Sequence, residues 1–137
     1  MRHSTADLTK SAYVYNSRHM DSKIAVETLS ALAQPTRLEV FRLLVRSEPE
    51  GLPAGEIARK LDVPHNTMSA HLAILSRSGL VSSEKRSRSI VYRVQLTSVR
   101  ELIIYLLRDC CAGKPELCAP LIEVLSPCCV SDGAACA

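Results

Sequence analysis

Six cysteines are the residues best suited to chemistry, and all of them lie between Cys110 and Cys136. Three of them stand in the stretch LLRDCCAGKPELC, at Cys110, Cys111 and Cys118, with a glycine and a proline between the pair and the third. Thiolates bind soft metal ions, and thiols also exchange with disulfides. Because the six cysteines are confined to the C-terminal part, they cannot cross-link the bulk of the chain. The spacing therefore favours metal binding or thiol redox chemistry over a disulfide framework.

The composition is that of an ordinary globular protein, with 47% apolar and 23% charged residues in a chain of 137. One Phe, four Tyr and no Trp leave an aliphatic core, which suits helix-on-helix packing. The chain has no run of about 18 uninterrupted apolar residues, which a membrane-spanning helix needs. Its N-terminus also lacks the pattern of a secretory signal. We therefore expect a cytoplasmic protein that has no membrane partner.

Charge is distributed unevenly along the chain, whose net charge is +3. Between Arg59 and Arg93, seven basic residues stand against two acidic ones, a local balance of +5. From Glu101 to the end, two basic residues stand against five acidic ones, which gives −3. A basic middle favours contact with a polyanion, although charge alone fits a merely solvated surface as well.

The spacing of apolar residues predicts a mainly α-helical chain with one small β-hairpin. The hairpin should turn between Arg86 and Ser89, and the segment SEPEGLP is expected to be a turn without a strand. This order of elements is that of a winged helix-turn-helix. The predicted segments are four helices, the hairpin and a last, very apolar helix that needs a partner: 22–33, 35–45, 54–63, 65–78, 80–94 and 96–111.

Two capping boxes are predicted at helix starts, one from Thr36 with Glu39 and one from Ser98 with Glu101. In each box the hydroxyl accepts a backbone N–H bond and the carboxylate reaches back to the cap. The apolar stripe of the fourth helix is predicted to be Met68, Leu72 and Leu75. The buried face of the second helix is predicted to be Leu38, Phe41, Leu44 and Val45.

The fourth helix, 65–78, is the predicted DNA-recognition helix, and residues 54–62 brace it. Its polar side can bond to base edges and phosphates, while small apolar groups can contact thymine methyls. A two-helix corner alone is a weak signal, but a basic hairpin directly after it favours a wing that lies on the DNA backbone. The candidate DNA-binding residues are His65, Asn66, Thr67, Ser69, Ala70, His71, Arg77, Lys85, Arg86 and Arg88.

Three stretches resemble the ArsR/SmtB family of bacterial metalloregulatory repressors: LSALAQPTRLEVFRLLV, AGEIARKLDVPHNTMSAHLAILSRSGLV and SSEKRSRSIVYRV. The resemblance covers residues 22–112. It implies a homodimer joined by its first and last helices, which binds double-stranded operator DNA until an inducer ion releases it. We accordingly divide the chain into a leader or disordered arm (1–20), a DNA-binding and dimerisation domain (21–112) and a Cys-rich flexible tail (113–137).

Members of this family bind their ions at different places, and most of those places are absent here. The bracing helix contains no Cys, and the four His residues, His3, His19, His65 and His71, all lie outside the last helix. The stretch DCCAGKPELC instead resembles the arsenite-binding type of last helix. This resemblance implies that Cys110, Cys111 and Cys118 bind trivalent arsenic, or antimony, as the inducer.

The chemistry of arsenite agrees with three thiols at that place. Trivalent arsenic is a soft, three-coordinate centre, and soft ligands select soft centres. Side chains at Cys110 and Cys111 diverge by about 100° on a regular helix, so the helix must end there for both to bind one atom. Gly113 permits the bend and Pro115 prevents the helix from resuming. Exchange of three arsenite hydroxyls for three thiols also releases no net proton, whereas zinc must displace the protons.

Other functions remain open at the level of sequence. A sensor of cadmium, lead or zinc would use four thiols and would add Cys128 or Cys129, which are otherwise a possible auxiliary site. A redox switch would oxidise the vicinal pair. An enzyme is not expected, because no base or orienting His lies near the cysteines in sequence and no Gly-rich cofactor loop is present.

Overall fold

The computed structural model describes residues 19–108, 114–117, 119–120 and 123 of the chain. It forms two compact units, Met1–Leu102 and Ile103–Ala137, and the boundary between them falls within the last long helix. The helices and strands in chain order are α1 (Ser22–Leu32), α2 (Pro35–Arg46), β1 (Leu52–Pro53), α3 (Ala54–Leu61), α4 (His65–Arg77), β2 (Val81–Arg86), β3 (Ser89–Val94), α5 (Leu96–Leu107) and a 3₁₀-helix (Pro115–Leu117).

The predicted winged helix-turn-helix is confirmed, since a mainly helical chain carries one small antiparallel sheet. The hairpin β2–β3 turns at Ser87 and Arg88, as the alternation of apolar residues predicted. Ser87 adopts a positive φ of 54°, so it takes the role that Gly or Asn usually has in such a turn. Within the described residues, no helix has the length and apolarity needed to span a membrane.

A third strand was not predicted. β1 pairs antiparallel with β3, with Leu52 opposite Tyr92 and Pro53 opposite Val91, and the strand order is β1-β3-β2. The segment SEPEGLP is therefore a turn that ends in a two-residue strand. Two residues are too few to show an alternating pattern, and Pro is found at sheet edges because it lacks a backbone N–H donor.

The predicted capping box at the start of α2 is wrong. Gln34 is the N-cap, and its side-chain oxygen accepts a hydrogen bond from the backbone N–H of Arg37 at 2.7 Å. Pro35 explains the difference, because its fixed φ suits the first helical position and keeps the preceding residue extended. Thr36 therefore lies inside the helix, and Glu39 instead faces Arg42 at 4.0 Å.

The second predicted capping box is also wrong. α5 already begins at Leu96, so Ser98 lies within its first turn. The backbone N–H of Ser98 donates to the carbonyl of Gln95 at 3.1 Å. The helix begins earlier because β3 ends at Val94 and leaves a single linking residue, Gln95, whose backbone N–H donates to Leu80 at 2.8 Å.

The core of the first unit is aliphatic, as the composition predicted. The stripe of α4 is confirmed, with Leu72 and Leu75 fully buried and Met68 1% exposed. Its burial fixes how α4 is rotated about its own axis. The buried cluster consists of Ala31, Val40, Leu44, Ile57, Ala58, Met68, Leu72, Leu75, Leu80, Val81 and Val94.

The predicted buried face of α2 is only partly right. Val40 and Leu44 are fully buried and Phe41 packs against the cluster, but Leu38 and Val45 are about two-fifths exposed. The sequence of α2 carries apolar residues on more than one side, so its periodicity does not select a single face. Several apolar side chains on α1 and α5 are exposed as well: Val26, Leu29, Leu96, Ile103, Ile104 and Leu106.

Candidate nucleic-acid interface

The bracing helix α3 and the recognition helix α4 are joined by a turn of three residues, Asp62 to Pro64. Asp62 ends α3 in the left-handed conformation, with φ 52° and ψ 50°. The backbone N–H of Val63 then donates to the carbonyl of Ala58 at 3.0 Å, which closes the end of α3. This left-handed residue lets the chain reverse sharply, so that α4 starts directly after Pro64.

Five of the predicted DNA-contacting residues lie together at the start of α4. The burial of the α4 stripe turns the other side of the helix outward. The first turn of α4 contains no acidic residue that would repel phosphate. Pro64 offers no side-chain cap, so the first backbone N–H groups point out of the helix end. The structure exposes His65, Asn66, Thr67, Ser69 and Ala70 in this region.

Gly55 contributes to this region and was missed by sequence reasoning. A Cβ added at Gly55 would lie 3.2 Å from Cε1 of His65, so the imidazole packs over the start of α3. The absence of a side chain at Gly55 therefore leaves room for the His65 ring where α4 begins. Nothing in the sequence pairs two residues ten positions apart in different helices, so no local signal was available.

Two other predicted residues of α4 have different surroundings. His71 is half-buried, and its Nδ1 atom is buried without a hydrogen-bond partner among the described residues. Arg77 is exposed at the far end of α4, about 18 Å along the helix axis from His65. There it lines a cavity of about 120 Å³ together with Glu27, Ser98 and Glu101. The structure thus does not bring Arg77 together with the residues at the start of the helix.

The wing carries the three predicted basic residues, and all of them are exposed. Lys85 and Arg86 end β2, and Arg88 lies in the turn. Arg86 is already engaged, since one guanidinium nitrogen is 3.2 Å from the carboxylate of Glu84. Another nitrogen donates to the carbonyl of Glu50 at 3.3 Å. Sequence reasoning predicted the cluster but not this difference among its members.

An ion pair between Glu48 and Arg93 holds the other end of the wing. Nη2 of Arg93 lies 2.6 Å from Oε2 of Glu48, and the Glu48 side chain is 20% exposed. The hydrogen bond that Arg93 donates to this carboxylate raises the pKa of the Arg93 guanidinium above its ordinary value, although partial burial acts in the opposite direction. The two residues are 45 positions apart, and no local pattern predicts such a pair.

The proposed metal ligands cannot be placed. Cys110, Cys111, Cys118, Cys128 and Cys129 lie outside the described residues, as do residues 1–18 and most of 113–137. The part of the chain that the structure describes contains no group of three His, Cys, Asp or Glu side chains that could hold a metal ion. The assignment of the thiols and of the flanking regions therefore stays a prediction.

Known proteins are similar to this chain over the part that contains the helix-turn-helix. A family model described as a helix-turn-helix domain covers residues 32–84. The transcriptional activator HlyU of Vibrio cholerae is 34% identical over 94 residues, which span 69% of this chain and 84% of HlyU.

Solved structures agree with this match. An ArsR-like transcriptional regulator from Rhodococcus sp. RHA1 is similar with a TM-score of 0.57 and 25% identity, over 74% of this chain and 92% of that one. The crystal structure of a possible transcriptional regulator for arsenical resistance is similar with a TM-score of 0.52 and 25% identity, over 58% of this chain and 80% of that one. These proteins are named as transcriptional regulators, which confirms the expectation that the chain is not an enzyme. With its bracing helix, recognition helix and wing in this order, the chain belongs to the ArsR/SmtB family of helix-turn-helix transcriptional regulators.

Proposed function

We propose that this chain is a homodimeric repressor of an arsenic-resistance operon, which leaves its operator when trivalent arsenic binds Cys110, Cys111 and Cys118. The observation that carries the proposal is the position of the thiols relative to α5. The described bounds of α5 end at Leu107, and the pair Cys110–Cys111 follows three positions later in the sequence. An ion bound there acts directly on the helix that this family uses for dimerisation.

The DNA-binding half of the proposal rests on α4 and the wing. The exposed residues at the start of α4 can enter the major groove, where Asn pairs with adenine and hydroxyl groups accept or donate to base edges. Exposed cations of the wing then neutralise phosphates beside the groove. Two such units in a symmetric dimer would contact half-sites about one helical turn of DNA apart.

The dimer is supported by the apolar side chains that α1 and α5 leave exposed. Val26 and Leu29 on α1 are 59% and 40% exposed, and Ile103 and Leu106 on α5 are 46% and 49% exposed. Exposed apolar side chains that recur on the same two helices are typical of a surface that a second subunit covers. These are the helices that form the dimer interface in the family that the sequence resembles.

The start of α5 lies beside the residues that follow the recognition helix, which supports a route from arsenic binding to DNA. A Cβ added at Gly79, two residues after α4, would lie 3.7 Å from the Ser98 hydroxyl oxygen. The backbone N–H of Gln95 donates to the carbonyl of Leu80, and Leu102 is 5% exposed. A shift at the start of α5 would therefore act on the residues that follow α4 through these contacts. A coupling free energy of about 1–3 kcal/mol between the two sites suffices for a switch.

The thiol chemistry balances without any oxidant. Arsenite, As(OH)₃, exchanges its three hydroxyl groups for the sulfur atoms of three neutral cysteine thiols and releases three water molecules. Each thiol proton leaves in one of these waters, so binding changes neither the net charge nor the pH of the solution. The likeness to a possible transcriptional regulator for arsenical resistance supports arsenic as the inducer.

The test is a titration of the protein on DNA from immediately upstream of its own coding sequence, with and without arsenite. We expect arsenite to lower DNA affinity at least tenfold, which corresponds to about 1.4 kcal/mol of coupling. The changes Cys110→Ser, Cys111→Ser and Cys118→Ser should each abolish this response. Cys128→Ser with Cys129→Ser is the matched control and should keep it.

Other outcomes have definite meanings. Unchanged affinity at saturating arsenite, or tighter binding as for an activator, contradicts the proposal. Loss of the response in the Cys128/Cys129 control, together with a response to cadmium or zinc, would instead indicate a four-thiol site for a divalent ion. Release by peroxide in the absence of arsenite would indicate a redox switch.

A further inference from the structure

The two faces of the wing have different surroundings. Residues directly opposite one another in β2 and β3 share a face, and faces alternate along each strand. The pairs Val81–Val94 and Ser83–Tyr92 lie on the face that packs on the core, and Lys85–Ile90 continues that face to the tip. We call this the core-side face.

The opposite face, which we call the outer face, carries the pairs Ser82–Arg93, Glu84–Val91 and Arg86–Ser89. The loop between α2 and β1 covers it. Arg93 is bound to Glu48 of that loop at 2.6 Å, and Arg86 donates to the carbonyl of Glu50 at 3.3 Å. Gly51 lies against this face as well, since an added Cβ would lie 2.6 Å from Cγ of Arg93.

The cations of the outer face are therefore used within the protein. Arg86 also forms an ion pair with Glu84 on the same strand, at 3.2 Å. The Glu84 carboxylate and the Glu50 carbonyl therefore partly compensate the charge of Arg86. A phosphate at this place would meet the carboxylate of Glu84 as well.

The tip of the core-side face is not compensated. Lys85 is exposed and makes no ion pair within residues 19–108, and its cross-strand neighbour Ile90 is 51% exposed. Tyr92, the next residue inward on this face, packs against the buried cluster to which α4 contributes Met68, Leu72 and Leu75. Lys85 and Ile90 therefore project on the same side of the sheet as the recognition helix, beyond the edge of the core.

We propose that the wing contacts duplex DNA through Lys85 and Ile90, whereas Arg86 is a positioning residue that holds the end of β2 and does not bind phosphate. The proposal rests on the DNA binding proposed above and assigns its wing contacts. DNA is the partner that fits this pair, because an uncompensated cation beside an exposed apolar side chain matches a phosphate and a neighbouring sugar. The wing and α4 would contact the same duplex, with α4 in its major groove.

The test is the salt dependence of binding to a labelled duplex of about 30 base pairs of arbitrary fixed sequence, between about 50 and 200 mM KCl. Loss of one phosphate contact lowers the slope of log affinity against log salt by about 0.9. We expect this change for Lys85→Ala. Arg86→Ala should lower the slope far less than Lys85→Ala does, and the remote exposed control Lys23→Ala should leave it unchanged. Ile90→Ala should lower affinity about threefold at every salt concentration without changing the slope, because it removes no charge.

A double-mutant cycle then tests the positioning role of Arg86. If Arg86 acts by holding Lys85 in place, Arg86→Ala lowers affinity about twofold in the natural chain but has no effect in the Lys85→Ala background. A purely structural role would give the same loss in both backgrounds. Unfolding curves for each variant establish that the domain remains folded at the temperature of the assay.

The outcomes separate this inference from the proposed function. If the natural chain binds no duplex at any salt concentration, the proposed DNA binding itself is contradicted. If it binds, but Arg86→Ala lowers the slope as much as Lys85→Ala does, the division of the wing into two faces is wrong. An unchanged slope for Lys85→Ala also contradicts it.

Discussion

Arg93 of β3 donates a hydrogen bond from Nη2 to Oε2 of Glu48 at 2.6 Å, and so joins the wing to the loop that follows α2. The pair lies on the outer face of the sheet, over the central strand β3, with the two side chains 37% and 20% exposed. Nε of Arg93 and Oε1 of Glu48 are buried without hydrogen-bond partners among the described residues. The pair therefore depends on this one contact, and loss of either charge leaves the other incompletely compensated.

The change Glu48→Gln should lower the free energy of unfolding by about 1 kcal/mol, the usual range for a partly exposed ion pair with one good hydrogen bond. Urea unfolding followed by circular dichroism measures this difference. Glu39→Gln is the matched control, because its carboxylate is 4.0 Å from Arg42 and both side chains are more than half exposed. It should leave stability unchanged, and equal effects of the two changes would contradict the assignment.

The same pair also gives a pH expectation. Because the hydrogen bond that Arg93 donates to Glu48 raises the pKa of Arg93, the stabilisation is complete below the pKa of arginine in the unfolded chain and is lost only above the raised value. Both lie far above neutral pH. The stability difference between the natural chain and Glu48→Gln should therefore be constant between about pH 6 and pH 9.

A substitution at Gly51, which also lies against Arg93, should lower stability more than Glu48→Gln does. Its φ is +73°, and an added Cβ would collide with the backbone carbonyl of Tyr92 and lie 2.6 Å from Cγ of Arg93. The change Gly51→Ala should therefore cost more than about 2 kcal/mol, since both backbone strain and steric overlap act against it. Gly79→Ala is the control, with φ +81° but its nearest contact at 3.7 Å. It should cost about 1 kcal/mol, from backbone strain alone.

Sequence patterns predicted the elements whose periodicity is unambiguous. The stripe Met68, Leu72 and Leu75 is one-sided, so it gave both the helix and its buried face. The hairpin was predicted from Val81 before the turn and from Ile90, Tyr92 and Val94, which alternate along β3 after it. In both, a repeated local pattern is imposed by burial on one side.

The features that were missed depend on contacts between distant segments. β1 is too short to alternate, and it is a strand because β3 supplies its hydrogen-bonding partner. The N-cap of α2 is an exception with a local cause: it is Gln34 and not Thr36, because Pro35 occupies the first helical position. The different surroundings of the wing cations depend on the loop residue Glu50, which lies 36 positions before Arg86, and no pattern within the hairpin reveals this contact. Pairwise tertiary contacts of this kind leave no periodic trace in a single sequence.

Gly55 allows a test of His65 at the start of the recognition helix. The change Gly55→Ala should leave stability equal or raise it by up to about 1 kcal/mol, because Ala favours a helix. The new Cβ would stand 3.2 Å from Cε1 of His65, so the imidazole must move. We therefore expect weaker binding to duplex DNA, by about threefold, measured by fluorescence anisotropy.

The control for this change is His65→Ala, alone and combined with Gly55→Ala. If Gly55 acts through the position of the imidazole, Gly55→Ala should have no further effect once the ring is removed. An equal loss of DNA affinity with and without His65 would show that the altered start of α3, and not His65, is responsible.

The exposed apolar side chains of α5 give the final prediction. Replacing Ile103 and Leu106 together by Glu places two charges where a second subunit is proposed to bury apolar surface, and an unpaired charge in such an interface is strongly unfavourable. The variant should sediment as a monomer at protein concentrations at which the natural chain sediments as a dimer. It should also bind DNA more weakly, since a monomer contacts a single half-site.

Leu38→Glu is the control, because Leu38 is 41% exposed on α2, outside the two helices proposed to dimerise. It should leave both the dimer and DNA binding intact, whereas a dimer that survives the double change, or one that Leu38→Glu dissociates, would place the interface elsewhere.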